Sequence, residues 1–182
     1  MGVSAQPISL HVTERRKVIV HIATSADGYI ARPDGDIEWL TSRPAPKGFY
    51  GMDAFTKTVD TTVMGRKTYE AGLAMGATFD ANKPTIVFSG SKPLAKLPVG
   101  VEFVNEPIEP IVRRLREQPG KNIWLMGGGE LIASFLEAQA IDEFVVSVVP
   151  IFIGDGIPLI ARRYLDVELE LESVTPFDDG LV

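Results

Sequence analysis

The segment Asn122 to Leu136 (NIWLMGGGELIASFL) constrains the fold more than any other part of this chain. It reads as a buried strand that runs into Gly127, Gly128 and Gly129 and leaves as a helix with Leu131, Ile132, Phe135 and Leu136 on its inner face. Three glycines in a row cost backbone entropy and contribute no side-chain packing. A folded domain keeps them where the backbone must turn tightly or approach something closely. A strand-to-helix turn also presents free N–H groups at a helix N-terminus, where an anion can bind. A tight turn with a glycine cap is the simpler reading of such a cluster on its own.

The rest of the chain repeats the strand-then-helix order. Lys17 to Thr24 (KVIVHIAT) is an almost unbroken β-branched run of the kind covered on both faces, and Ser25-Ala-Asp-Gly28 ends it. Asp36 can cap a short helical turn carrying Trp39 and Leu40, and Met52, Phe55 and Val59 recur at helical spacing. Short apolar strands are expected at Thr61 to Met64, Pro84 to Phe88 and Val101 to Val104. Helices are expected from Gly65, from Pro107 or Pro110, and over residues 129 to 138. Ile141 to Val149 is a long strand, and Leu165 to Val174 alternates apolar and acidic residues like a strand with one wet face. This alternation predicts an α/β sheet with helices on both faces, in which Gly127 to Gly129 lie at a strand's carboxyl end, where open sheets bind ligands.

Composition narrows the function. The 182 residues carry a net charge of −6 with no dense Lys/Arg cluster, which argues against a nucleic-acid partner and leaves room for a small anion in a local pocket. The absence of cysteine removes disulfides, thiolate catalysis and cysteine-ligated zinc, and two histidines, His11 and His21, exclude a histidine-rich metal site. No apolar run reaches the roughly 20 residues a bilayer span needs, and the start lacks a signal peptide's apolar core, so a cytoplasmic protein without membrane attachment is expected. Residues 1–15 read as a loose tail before one domain over 16–182. Phe177-Asp-Asp-Gly180 is a hairpin signal followed only by Leu181 and Val182, so the last strand is either very short or truncated.

Common nucleotide motifs fail. Gly127-Gly-Gly129 is not GxGxxG, because Ile132 stands at the third glycine position. Gly65-Arg-Lys-Thr68 is not a P-loop, because Asp60 occupies the place of its first glycine. Two further segments nevertheless favour anions. Arg66 and Lys67 fall in the first turn of a helix, where cations oppose the helix dipole and gain a reason if they meet a phosphate; a solvated basic pair is the alternative. Ser89-Gly-Ser-Lys92 follows a buried strand and offers hydroxyls, an N–H and an ammonium, although by itself such a stretch is usually a loop. Three strand ends of this kind fit one extended ligand with several phosphates, such as a phosphorylated dinucleotide.

In that order, Val63-Met-Gly-Arg-Lys-Thr-Tyr-Glu70, Ile86-Val-Phe-Ser-Gly-Ser91 and Gly127-Gly-Gly-Glu130 resemble the NADPH-binding segments of the dihydrofolate reductase fold. Ala26 to Ala31 resembles the turn after its first strand. Ile141-Asp-Glu143 followed by Pro150 to Leu159 is similar to the reductase domain of the bifunctional riboflavin-pathway deaminase/reductase and its stand-alone bacterial homologues. The resemblance covers residues 17–182. It implies a mixed, mostly parallel central sheet flanked by helices and an NADPH-dependent reductase acting on a small heterocycle, with 5-amino-6-(5-phosphoribosylamino)uracil as the leading substrate. The alternatives are a dihydrofolate or pterin reductase and a non-catalytic NADP(H) sensor. It implies that Gly65, Arg66, Lys67 and Thr68 hold the pyrophosphate and 2′-phosphate, and that Ser89 and Ser91 flank the adenosine. Gly127, Gly128 and Gly129 would contact the pyrophosphate or nicotinamide ribose with Glu130 and Leu131 beside them, and a cis Gly-Gly bond is common there. Ala23 and Ile30 would line the nicotinamide pocket. The buried acid that dihydrofolate reductases carry four residues before a helical phenylalanine falls here on Gly51, with Asp53 nearby. With no cysteine, these residues are not expected to form the zinc site of the riboflavin enzyme's deaminase domain.

The substrate side is left with fewer candidates. Asp27 is the catalytic candidate as an acid near the reacting atoms, against the reading of a turn aspartate. Trp39 either stacks on substrate or fills core, and Glu143 either faces the pocket or starts a strand. His21 is expected to be hydrogen-bonded within the sheet. The apolar excess of Ile141 to Ile153 points to a homodimer interface.

Overall fold

The computed structural model describes residues 15–93, 96–164 and 166–182. Six strands form its central sheet: β1 (Val18–Ser25), β3 (Val59–Gly65), β4 (Thr85–Phe88), β5 (Val101–Val104), β6 (Asn122–Gly127) and β7 (Glu143–Val149). Their spatial order is β5-β4-β3-β6-β1-β7, and every neighbouring pair is parallel. β2 (Tyr29–Ala31) and β8 (Ile157–Pro158) make a separate antiparallel ribbon. An antiparallel element also touches the sheet edge, where Val148 and Val182 exchange backbone hydrogen bonds of 2.7 and 3.2 Å. The expected mostly parallel α/β sheet is therefore present.

Parallel strands need crossovers, and the helices α3 (Arg66–Ala74), α4 (Ile108–Glu117) and α5 (Gly129–Glu137) supply them. α4 starts after Pro107 at its N-cap, with Pro110 in its first turn, where a missing N–H does no harm. Ile111, Val112 and Leu115 of α4 and Ile132 and Phe135 of α5 bury against Val18, Val20, Val63, Ile123 and Leu125 on one sheet face. Tyr69 of α3 packs with Met64 and Val87 on the other face. Val63 and Met64 are sequence neighbours that serve opposite cores, as strand alternation requires.

Three local expectations change. α1 is a single turn over Glu38–Thr41; Val59 belongs to β3, so α2 is also a single turn, over Met52–Phe55, preceded by a 3-10 turn at Phe49–Gly51. Residues 166–176 form no strand despite their alternation, and Val167, Leu169 and Leu171 stay exposed. Alternation fixes which side of a strand is apolar, but a strand also needs a neighbouring ladder. The ribbon strands β2 and β8 were not visible as runs because three and two residues are too few to show a period.

One partly buried ion pair locks the amino end of the sheet. Arg16 is buried and donates to the Leu115 carbonyl at 2.9 Å and to Thr61 Oγ1 at 2.7 Å, besides pairing with Asp60. Asp60 also accepts the Lys121 N–H at 2.7 Å.

Candidate functional site

The carboxyl ends of β3 and β6 lie side by side, and each strand runs straight into a helix. Gly65 is the N-cap of α3 and Gly128 is the N-cap of α5, and neither helix has a side-chain cap. The two caps are adjacent: a Cβ built on Gly65 would lie 3.9 Å from Gly127 O and from Gly128 N. Two sets of uncapped N–H groups and two positive dipole ends therefore open on one place. The Gly127–Gly128 peptide bond is cis, as the resemblance implied, and Gly127 has φ +113°.

The three glycines do different work. A Cβ on Gly128 would meet only Thr68 Oγ1 at 3.5 Å and Ile30 Cδ1 at 3.8 Å, ordinary contacts that would fill the space between them. A Cβ on Gly129 would collide with the Pro158 carbonyl oxygen and lie 3.3 Å from Leu159 O. Gly129 is thus a packing glycine: its carbonyl accepts the Ala161 N–H at 3.1 Å, while Leu159 N–H donates to Gly28 O at 3.0 Å. The stretch Pro158 to Ala161 clasps the turn after β1 to the start of α5. No residue pattern marks that clasp, since its contacts are backbone to backbone.

At the neighbouring strand end, Arg66 reaches from α3 to the loop after β4. Its Nε donates to Glu70 Oε1 at 2.7 Å, and its Nη1 donates to Ser91 Oγ at 2.5 Å and to the Lys92 carbonyl at 3.4 Å. Ser89 Oγ donates to the Ser91 carbonyl at 2.8 Å and accepts the Ser91 N–H at 3.2 Å, which closes that loop. Lys67 is exposed on the same helical turn. The residues expected to hold phosphates, Gly65 to Thr68, Ser89, Ser91 and Gly127 to Gly129, therefore belong to three adjacent strand ends. Ile30 adjoins them through Gly128. Ala23 lies on β1, in register with Ser147 of β7. Leu131 is half-buried against the main core. The carboxylate of Glu130 turns outward to Arg163 at 2.7 Å with its side chain 79% exposed, so only its backbone belongs to the helix start.

The substrate-side expectations fare differently. Asp27 accepts N–H bonds from Gly154 at 2.8 Å and from Ile153 at 3.2 and 3.3 Å, and Ala26 N–H donates to Ile151 O at 2.8 Å. The Ser25 hydroxyl, then the Gly154 and Ile153 amides, hold the Asp27 carboxyl below the usual carboxylate range. A group kept ionised in this way anchors the loop after β7 and is not itself a proton donor at neutral pH. Trp39 is 6% exposed in a second core with Val149 and Leu181, its indole N–H unpartnered, so it is a core residue and not an open stacking face. Glu143 sits at the amino end of β7 in register with Ile19 and pairs with Lys17 at 3.5 Å. That is the opposite end of the sheet from the glycine turn, which removes it from the site. Asp53 is exposed on α2. His21, 7% exposed, leaves Nδ1 unpartnered, contrary to the expected hydrogen bond. Its ring packs edge-on against Phe55 at 4.4 Å, its own carbonyl accepts the Trp124 indole N–H, and burial pushes its pKa down.

Known proteins share this fold. A crystal structure of a protein assigned to riboflavin biosynthesis from Shewanella sp. PV-4 is 33% identical, with a TM-score of 0.78 over 91% of this chain and 94% of that one. A diaminohydroxyphosphoribosylaminopyrimidine deaminase/5-amino-6-(5-phosphoribosylamino)uracil reductase from Thermotoga maritima is 21% identical, with a TM-score of 0.66 over 92% of this chain and 55% of that one. Dihydrofolate reductase from Enterococcus faecalis, complexed with NADP(H), is 20% identical, with a TM-score of 0.57 over 80% and 77%. The last two likenesses establish the fold, which is that of dihydrofolate reductase. Residues 16–182 match the family model described as the RibD C-terminal domain, and the chain belongs to that family.

Proposed function

We propose that the protein is an NADPH-dependent reductase whose substrate is 5-amino-6-(5-phosphoribosylamino)uracil or a close heterocyclic relative. The observation that carries this reading is the meeting of two uncapped helix N-termini at Gly65 and Gly128, with the Arg66–Ser91 contact beside them. The donor set fits the cofactor: backbone N–H groups for a pyrophosphate, a guanidinium with hydroxyls for a 2′-phosphate, and an unfilled Gly128 Cβ position that lets a ligand approach between Thr68 and Ile30. Bound NADPH supplies a hydride for a C=N bond or an opened ribose. The chain's own part is to bind and orient. The α3 and α5 starts hold the diphosphate, and the Pro158 to Ala161 clasp fixes the wall next to it. The Asp27 carboxylate, ionised and tied to residues 153–154, can orient a water near the reacting atoms without giving up a proton of its own. The family membership and the Shewanella, Thermotoga and Enterococcus likenesses support the same reading.

Calorimetry with NADPH and NADH tests the cofactor. One or two charge-assisted bonds to a 2′-phosphate, each worth about 1.5–3 kcal/mol, should favour NADPH at least tenfold. Equal affinity would sink the reading. NADPH oxidation with the ribosylaminouracil phosphate then tests the substrate; tight binding without turnover of this compound or a pterin would favour a sensor. We also assign the chain to a two-fold dimer through the apolar face of β7 and the exposed Phe152, which a monomeric mass by sedimentation would refute.

A further inference from the structure

We infer that Glu70 is a positioning residue that sets the preference for a 2′-phosphorylated cofactor by holding Arg66 ready for it; this rests on the cofactor reading above. The ion pair makes little sense as a stabiliser of α3. Arg66 is the first residue of the helix, where a cation opposes the dipole. Glu70 follows it at i+4, and an acid C-terminal to its base is the weaker order for such a pair. Both partners are partly exposed, so the contact itself adds little to folding stability.

Its geometric effect is larger. An unrestrained arginine samples many rotamers, and binding through it must freeze them. Here the Nε bond to Glu70 at 2.7 Å and the Nη1 bond to Ser91 at 2.5 Å fix the guanidinium across the gap between the ends of β3 and β4. Among the described residues Nη2 has no partner, so its two diverging N–H donors remain, held in fixed directions. A phosphate approaching the Ser89 to Ser91 loop meets a guanidinium already oriented for charge-assisted hydrogen bonds. Glu70 lies at the Nε edge of the guanidinium, and among the described residues its ion-pair partner is Arg66. NADH offers no 2′-phosphate, so its binding should not depend on this arrangement.

The test is calorimetry on the full chain with NADPH and NADH, using Glu70→Ala and Glu70→Gln. Freeing one long side chain should weaken NADPH binding about 3- to 10-fold in Glu70→Ala and leave NADH within about twofold. Glu70→Gln keeps an acceptor for Nε and should restore NADPH affinity to within about twofold of wild type. Unchanged or tighter NADPH binding by Glu70→Ala would overturn the inference, the latter marking Glu70 as a competitor of the phosphate. Equal losses for both cofactors would also overturn it, as a merely structural effect. Failure of wild type to prefer NADPH would instead refute the cofactor reading itself, and is read before any variant is made.

Discussion

Gly129→Ala gives a sharp test of how the glycine turn is built. Two effects oppose each other. Alanine is a better helix residue than glycine by roughly 0.5–1 kcal/mol, and Gly129 has no left-handed backbone to forbid it. Against this, the new methyl group would collide with the Pro158 carbonyl oxygen and press on Leu159 O. Both are backbone atoms, and the segment that carries them is tied down by the Ala161-to-Gly129 and Leu159-to-Gly28 hydrogen bonds. No flexible side chain can yield. Overpacking of this kind costs about 1–3 kcal/mol, so a net loss of ~1–2 kcal/mol is expected. With a urea m-value in the usual range of about 1–3 kcal/mol/M, the unfolding midpoint should fall by roughly 0.5–1 M. Gly128→Ala is the control, since its Cβ would make only ordinary contacts; it should unfold within about 0.5 kcal/mol of wild type while weakening NADPH binding. A Gly129→Ala midpoint equal to or above wild type would mean that propensity outweighs packing and that the clasp is looser than described.

Arg16→Met should lower stability by ~2–3 kcal/mol in urea melts, because it strands Asp60 beside the Lys121 amide after removing a buried cation; Asp60 keeps some solvent, which places the loss at the low end for a broken pair. The Asp27 carboxyl carbon should titrate below about 3.9 by NMR, so the tie between residues 27 and 153–154 is intact above that pH and is lost as pH falls through the lowered midpoint. A midpoint at or above about 3.9 would refute the hydrogen bonds to residues 153–154 as a constraint on this carboxylate. His21 should likewise titrate below about 6.5. Its folded form excludes the proton, so its contribution to stability is full above about 6.5 and declines as pH falls toward the lowered midpoint; His21→Phe should flatten that part of the melting curve.

The strands that carry the site were legible because buried parallel strands are continuous apolar runs, and β1, β4 and β6 are such runs bounded by glycine or serine. Arg66 and Lys67 stand out in the sequence for a chemical reason: they are poor choices at a helix start unless something negative meets them, and the structure sets Arg66 against the Ser89 to Ser91 loop. The residues that the sequence leaves between two roles share a different cause. Glu143 and Trp39 stand out by residue type, and type does not tell which end of a strand or which side of a turn a side chain occupies. Only the register with Ile19 puts Glu143 at the wrong end. Glu70 and the Pro158 to Ala161 clasp were missed although an arginine and a glutamate four apart on a helix were in plain view. A pair at that spacing is so common on helix surfaces that only its contact with Ser91 sets it apart.

The sheet order has a consequence for how the chain is made. β1 lies between β6 and β7, so Val18 pairs with Ile123 and Ile19 with Glu143. A ribosome adding about 5–20 residues per second releases β1 on the order of 5–20 s before its first partner exists. Throughout that interval Val18 to Ile22, apolar and β-branched, has no neighbour of its own and is free to pair with strands of other nascent chains. Production in the cell should therefore depend on a holding chaperone far more than the finished domain's stability would indicate, and refolding from denaturant should be slower than for a helical protein of equal length.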